Sequence, residues 1–314
     1  MQNMQENTTL QSNLSSAIPE SKSTEFWHLG DATIRRVGFG TKRLAGSTGG
    51  GPDVQERAVV LLRRAVELGV NHLDTADFYP TYAEGGQTRS FEELRWANEA
   101  IRRALAPYPD DLVVATKVGP TESGLARPDG LPALVEGNLR ALGVETLDLV
   151  YLRQAGLDDV SEHFGVLAEL RAKGMIKHLG LSNVRVEHLA QAQEIAPIVA
   201  VQNRYGVGFG RVNDDILRVC GEQGIAFVPF FALTAASREV GGVSSNDAVQ
   251  EVADQHNATP AQIRLAWTLG RGDHVLAIPG TSSPRHLEEN LAAGAIHLSP
   301  GQLAVLDSME EAQS

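Results

Sequence analysis

The chemistry this chain can do is set by polar residues that close apolar runs. An aspartate and a tyrosine stand five positions apart in Asp74-Thr75-Ala76-Asp77-Phe78-Tyr79, and a lysine closes Val113-Val114-Ala115-Thr116-Lys117. A tyrosine phenol has a reference pKa of about 10, too high for easy proton exchange near neutral pH. A lysine ammonium beside it favours the phenolate and lowers that value, and an aspartate paired with the lysine keeps the ammonium charged and in place. Such a trio is a tuned general acid, able to give a proton to a carbonyl oxygen as it becomes an alkoxide. Other runs end the same way: Arg153 follows Asp148-Leu149-Val150-Tyr151-Leu152, Ser182-Asn183 follows Gly180-Leu181, and Gln202-Asn203 follows Ala200-Val201. Taken singly, each is most simply a satisfied polar group at a strand end.

Strand ends meet only when the strands are parallel and share one rim. Short apolar runs alternate with amphipathic stretches along the chain, and the spacing predicts eight strand–helix pairs. The strands are expected near Ile34–Thr41, Val70–Thr75, Asp111–Lys117, Leu147–Leu152, Ile176–Leu181, Ile198–Gln202, Ile225–Phe230 and Val275–Pro279. Helices are expected over Val54–Leu68, Phe91–Leu105, Leu131–Leu142, Val160–Lys173, Val186–Ala196, Asp214–Gln223, Asn246–His256 with Pro260–Leu269, and Pro284–Ala293, with a last one over Pro300–Glu310. Gly69, Gly143, Gly174 and Gly224 follow helices, as left-handed caps do, while Asp53, Ser161 and Asp214 are read as helix starts. Runs such as VVA and LVYL do not alternate, which suits parallel strands buried on both faces. The pattern is that of a (β/α)8 TIM barrel, an α/β fold whose catalytic face is built by the loops after the strands. The rival is a doubly wound sheet, but its dinucleotide fingerprint is missing: after Gly38-Phe39-Gly40, Arg43 stands where the third glycine belongs. Pro80 to Ser90, after the second strand, is a lid or specificity loop by position, with Tyr82, Arg89, Phe91 and Trp96 as walls of a pocket, or Phe91 and Trp96 as the core face of the second helix.

Composition narrows the function classes. Lys+Arg 27 against Asp+Glu 39 gives a net charge of −12, unsuited to nucleic acid or an anionic membrane, which need a basic face. The single cysteine, Cys220, excludes an intrachain disulfide and a cysteine-based zinc site, and the expectation is a cytoplasmic protein without metal. The expected domains are a disordered tail over 1–25, with no apolar signal core, and one barrel over 26–314.

The motifs resemble a known family when taken in order. Gly69-Val70-Asn71-His72-Leu73-Asp74-Thr75-Ala76-Asp77-Phe78-Tyr79, Lys117, Gly180-Leu181-Ser182-Asn183, Val201-Gln202-Asn203, and Ile278-Pro279-Gly280-Thr281 followed by Glu289-Asn290 are similar to the aldo-keto reductases, from about Leu29 to the last helix. The resemblance implies a barrel closed below by an N-terminal hairpin, to which Trp27 and His28 would belong. It also implies NADPH, with NADH as the alternative, over the C-terminal rim. It makes Tyr79 the general acid, Asp74 and Lys117 its tuning pair, and Arg153 the fourth catalytic position. Ser182, Asn183 and Gln202 would hold the carboxamide, Phe230 would stack on the nicotinamide, and Gly40, Thr41, Phe231 and Leu233 would line the cofactor groove. Gly280, Thr281 and Ser282, with Arg285 or His286, would receive the adenosine phosphate, with Glu289 and Asn290 near the adenine.

Two departures stand out. The family usually has histidine where this chain has Arg153, and a basic residue where it has Ser282 and Ser283. Arginine stays charged and presents a rigid fork of donors, suited to an alkoxide, a carboxylate, a phosphate or a phenolate, or to a salt bridge across the rim. Arginine there, with Val228-Pro229-Phe230-Phe231, is similar to the pyridoxal reductase-like branch. Carbonyl reduction of a small molecule is the expected activity, on a pyridoxal-like aldehyde or a carbonyl or imine of secondary metabolism, by a monomer or small homo-oligomer. The alternatives are a catalytically weak cofactor-binding or regulatory barrel, or dehydratase-like chemistry in the same pocket.

Overall fold

The computed structural model describes residues 25–44, 52–79, 96–209, 211–233 and 246–309. The expected tail up to Thr24, the loop Pro80 to Ser90 with Tyr82 and Arg89, and Phe91 lie outside them.

A hairpin of β1 (Phe26–Leu29) and β2 (Ala32–Arg35) opens the fold. It is followed by β3 (Phe39–Gly40), β4 (His72–Asp74), β5 (Val113–Val118), a small hairpin of β6 (Pro120–Thr121) and β7 (Gly124–Leu125), β8 (Leu147–Arg153), β9 (Ile176–Ser182), β10 (Ala200–Gln202) and β11 (Ala226–Phe227). One seven-stranded sheet runs β11-β10-β9-β8-β5-β4-β3 with every pair parallel. The helices between its strands are α1 (Pro52–Glu67), α2 (Trp96–Leu105), α3 (Leu131–Leu142), α4 (Ser161–Ala172), α5 (Val186–Gln193) and α6 (Asp214–Glu222). After β11 come α7 (Asp247–Gln255), α8 (Pro260–Leu269), α9 (Pro284–Ala292) and α10 (Pro300–Asp307).

The sheet curls until its edges meet through one more extended segment. Val37 bridges Ala277 on one side and Phe227 bridges Val275 on the other, both parallel. Backbone bonds from Gly38 N to Ala277 O (2.8 Å) and from Leu276 N to Phe227 O (2.9 Å) complete the seam. Residues 275–277 are thus the eighth stave of a closed barrel, which leaves no sheet edge open. Arg36 ties this seam from below: its buried guanidinium donates to the carbonyls of Val275 (3.1 Å), Leu269 (2.6 Å) and Gly272 (2.7 Å).

Two apolar layers result. Inward-facing Val113, Ala115, Leu149, Tyr151, Ala200, Ala226, Val228 and Leu276 fill the barrel, and Leu29 and Ile34 of the N-terminal hairpin join them, so the hairpin plugs the bottom. A larger layer, including Leu62, Ile101, Phe164 and Trp267, packs the helices onto the outside of the staves. Trp96 packs partly buried against this outer layer, as a core residue of α2.

Two expectations change. Ile34–Thr41 is two elements, because the chain leaves the bottom hairpin at Arg35 and enters the barrel wall at Val37. Ser161 and Asp214 lie inside the first turns of α4 and α6, whose caps are Val160 and Asn213; Asp159 Oδ1 takes the Ser161 N–H at 2.8 Å instead. Cys220 in α6 is buried, and burial pushes its thiol up to about 12.

Candidate active site

β4 and β5 are adjacent parallel strands in register at Asp74 and Ala115, so Lys117 lies two residues further toward the C-terminal mouth than Asp74. Its side chain turns back: Nζ donates to Asp74 Oδ1 at 2.6 Å, to the Thr75 carbonyl at 2.9 Å and to Tyr79 Oη at 2.8 Å. Tyr79 Oη in turn donates to Asp74 Oδ1 at 3.2 Å. Lys117 and Asp74 are 4% and 2% exposed, so this ion pair is held away from water, where unit charges interact far more strongly. Asp74 is fixed from two further sides: Gln202 Nε2 donates to Oδ2 at 2.6 Å, and Thr41 Oγ1 donates to its carbonyl at 3.1 Å.

These contacts decide the protonation states. Burial, and then the charge of Asp74, raise the Tyr79 phenol well above its ordinary value, with Arg153 pulling the other way. A phenol lowered by the neighbouring ammonium was the expectation; desolvation of the phenolate outweighs it, so Tyr79 rests protonated. Burial also lowers Lys117, opposed by Asp74. The geometry is that of a loaded proton donor, its oxygen accepting from an ammonium and its proton resting on a long bond to a carboxylate.

Arg153 ends β8, next to Ser182 at the end of β9. Its Nη1 donates to Ser182 Oγ at 3.1 Å, and its guanidinium carbon lies over the Phe230 ring, 4.8 Å from the centroid. Asn183 follows Ser182 with φ 63°, in the left-handed region that asparagine tolerates. Its Nδ2 donates to the Gln154 carbonyl at 3.3 Å, and Gln154 Nε2 donates back to the Asn183 carbonyl. Ser182, Asn183 and Gln202 therefore stand on adjacent strand ends beside the Asp74–Lys117–Tyr79 group.

The remaining predicted residues divide. Phe230 and Phe231 cross edge to face at 5.2 Å, and Lys42 Nζ (5.0 Å) and the Arg204 guanidinium (5.4 Å) lie over the Phe231 ring. Leu233 packs beside Ala232 and Leu265. Gly40 and Gly280 face each other across the barrel seam: a Cβ on Gly40 would lie 2.5 Å from the Ile278 carbonyl oxygen, and one on Gly280 2.6 Å from that of Gly40. Close backbone approach alone requires glycine at both positions. Thr281 Oγ1 accepts from Ser283 N at 3.0 Å, Ser283 caps α9 by accepting from His286 N, and Ser282 is exposed. His286 Nε2 accepts from Arg285 Nη2 at 3.1 Å, and Arg285 Nη1 donates to Glu289 at 3.0 Å; Asn290 is buried.

Sequence reasoning missed two buried groups beneath the site. Tyr151 precedes Arg153 by two residues and His72 precedes Asp74 by two, so each shares a strand face with its partner. Both are 0% exposed, and neither the Tyr151 hydroxyl nor either His72 ring nitrogen meets a partner among the described residues. Burial lowers His72 to about 4, keeping it neutral beneath the ion pair.

The residues fit a nicotinamide dinucleotide by the chemistry of their donors. Ser182, Asn183 and Gln202 offer both donors and acceptors, as a carboxamide needs, and a nine-residue helix carrying Arg285 in its first turn offers positive charge to a phosphate. Among the described residues no group of three or more His, Cys, Asp or Glu could hold a metal ion, and no helix is long and apolar enough to cross a membrane.

Residues 36–311 match the sequence profile of the aldo/keto reductase family. The chain belongs to that family. It is an oxidoreductase of the carbonyl–alcohol type, on the TIM-barrel scaffold the family shares. It is 39% identical over 303 residues to the pyridoxine 4-dehydrogenase of Escherichia coli K12, covering 91% of this chain and 99% of that protein. Two solved structures of aldo-keto reductase from Klebsiella pneumoniae superpose on it. One, in complex with NADPH, has a TM-score of 0.73 at 26% identity, covering 92% of this chain and 96% of its own. The other, with NADP and acetate, has a TM-score of 0.74 at 27% identity, covering 92% and 97%.

Proposed function

We propose that this aldo/keto reductase reduces a pyridoxal-like aldehyde with NADPH, with Tyr79 as proton donor. The observation that carries the reading is the Tyr79 hydroxyl 2.8 Å from the buried Lys117 ammonium. When bound, NADPH supplies the hydride. The protein's part is the proton. As the carbonyl oxygen gains charge, Tyr79 turns its proton from the long 3.2 Å bond with Asp74 toward that oxygen. The phenolate left behind is stabilised by the Lys117 ammonium, which Asp74 holds in place and in charge. Ser182, Asn183 and Gln202 would hold the carboxamide, and Phe230 would flank the ring. Arg285 would take the phosphate end in place of His286, whose ring nitrogen it already occupies. The substrate class follows the pyridoxine 4-dehydrogenase relative.

Tyr79→Phe tests the proton step. Its turnover of pyridoxal should fall by about 10²–10⁴, with NADPH affinity, read by fluorescence titration, nearly unchanged. Full activity without the hydroxyl, or an equal loss of NADPH binding, contradicts the reading.

A further inference from the structure

Arg153 is half-buried beside the reacting groups, and among the described residues it has no ion-pair partner. Among the described residues no carboxylate lies within 4.0 Å of it; its hydrogen bond is to the neutral Ser182 hydroxyl at 3.1 Å. Asp74, the carboxylate of the site, is already engaged by Lys117, Tyr79 and Gln202. A guanidinium taken out of water without a carboxylate is costly, and a bound anion removes that cost. Arginine carries five N–H donors, so most of the Arg153 fork remains for a ligand.

The place of Arg153 defines what that anion is attached to. In the sheet register Lys117 pairs with Tyr151, so Arg153 begins two residues further toward the mouth, roughly 6–7 Å at the usual strand rise. Lys117 on β5 bonds the Tyr79 hydroxyl and Arg153 ends the adjacent strand β8, so the guanidinium and the phenol belong to one stretch of the rim. The guanidinium is seated over the Phe230 ring, 4.8 Å from its centroid, so an aromatic face lies beside its remaining donors. An anionic oxygen bound there, on a molecule whose carbonyl meets Tyr79, sits on the same side of the mouth as that carbonyl.

We propose that Arg153 is a specificity residue that selects ortho-hydroxyaryl aldehydes, gripping the ring oxygen next to the aldehyde as its phenolate while Tyr79 faces the aldehyde oxygen. This deepens, and rests on, the carbonyl-reduction reading of the same site. Balance is unaffected: hydride and proton go to the aldehyde, and the phenolate passes through unchanged.

The test compares kcat/KM of the full-length protein with NADPH for benzaldehyde and its 2-hydroxy, 4-hydroxy and 2-methoxy derivatives, in wild type, Arg153→Met and Arg153→Lys. Charge-assisted hydrogen bonds lead one to expect a preference for 2-hydroxy over 2-methoxy on the order of 10–100-fold in wild type. It should grow as pH rises through the phenol pKa, should be missing for the 4-hydroxy isomer, and should fall to near unity in Arg153→Met. Arg153→Lys, which keeps the charge and loses the fork, should fall between. An unchanged ratio in Arg153→Met, or a wild type indifferent to the ortho oxygen, overturns the proposal while turnover of benzaldehyde leaves carbonyl reduction standing. No turnover of any aldehyde by wild type overturns both. If Arg153→Met does not fold, as judged by circular dichroism, the wild-type isomer preference and its pH dependence, with the lysine variant, decide the matter.

Discussion

Lys117 and Asp74 form a buried ion pair at 2.6 Å, and removing either partner separates its effect on stability from its effect on chemistry. Lys117→Met leaves a carboxylate facing Gln202 and Tyr79 without its cation; Asp74→Leu leaves an ammonium with only the Thr75 carbonyl and a phenol. Unpairing a buried charge costs about 3–5 kcal/mol. Over a urea slope of about 3 kcal/mol/M, each single variant should unfold about 1 M or more below wild type. The double variant removes both charges and keeps the volume nearly constant. It still strands the Gln202 amide and the Thr75 carbonyl, at about 1–3 kcal/mol. It should therefore be no less stable than either single variant, with a coupling energy of about 3 kcal/mol or more between the two sites. Unfolding is followed by far-UV circular dichroism and by tryptophan fluorescence, and NADPH-dependent aldehyde reduction is measured beside it. Activity should stay low in all three variants, because an apolar pair cannot stabilise the phenolate of Tyr79. A double variant destabilised by the sum of the singles would refute the unpaired-charge account. A double variant that regains activity along with stability would refute the assigned chemistry.

Two further outcomes follow from the barrel interior and its seam. His72 is neutral in the fold with its pKa lowered to about 4 from 6.5, so the unfolded chain binds a proton that the folded chain refuses as pH falls between those values. Its stabilising effect is complete above about 6.5 and is lost toward pH 4, so His72→Met should lose roughly 3 kcal/mol less stability than wild type between pH 7 and 4 in urea titrations; equal losses would show that His72 is not the titrating group. Gly280→Ala places a Cβ 2.6 Å from the Gly40 carbonyl oxygen, backbone that can shift only by opening the seam, and should cost about 1–3 kcal/mol in the same assay; a neutral substitution would deny the close approach.

Legibility from sequence follows how local each signal is. The bounds of α3 and α8 agree with expectation to the residue, because each is marked by a local stop or start: Gly143 takes φ 70° after α3, and Thr259 and Gln262 form a capping box with Pro260 at the start of α8. Asp74, Lys117, Ser182 and Gln202 are legible as a rim because parallel strands put their ends on one side. The break in the first expected strand, between Arg35 and Val37, is not legible, since an extended run looks the same whether it stays in one sheet or crosses to another. Tertiary bonds also leave no local trace: the 2.6 Å contact of Gln202 with Asp74 spans 128 positions, and the buried Tyr151 hydroxyl reads from sequence as one more apolar ring. The sign of the Tyr79 shift was hidden for a different reason, because neighbours can be guessed from types and spacing while depth of burial cannot.

The charge of the mouth opposes the charge of the chain. The protein carries −12 overall, yet among the described residues the Asp74 carboxylate faces the cations of Lys117 and Arg153 at the site, and Lys42 and Arg204 lie over the Phe231 ring beside it. Low-dielectric walls focus such a local excess, while charges elsewhere on the surface are screened within about 10 Å by salt. An acidic exterior discourages polyanions, which need a broad basic face, and a cationic well admits small anions that fit inside it. A dinucleotide phosphate and a phenolate are both of that size. Lys117 spends its charge on Asp74 and on the phenolate that Tyr79 becomes, so Arg153 is the charge left for the substrate. Histidine, neutral when its proton is shared, would leave the well poorer by that charge. The arginine thus changes what the pocket attracts while leaving the bonds among Asp74, Lys117 and Tyr79 as they are.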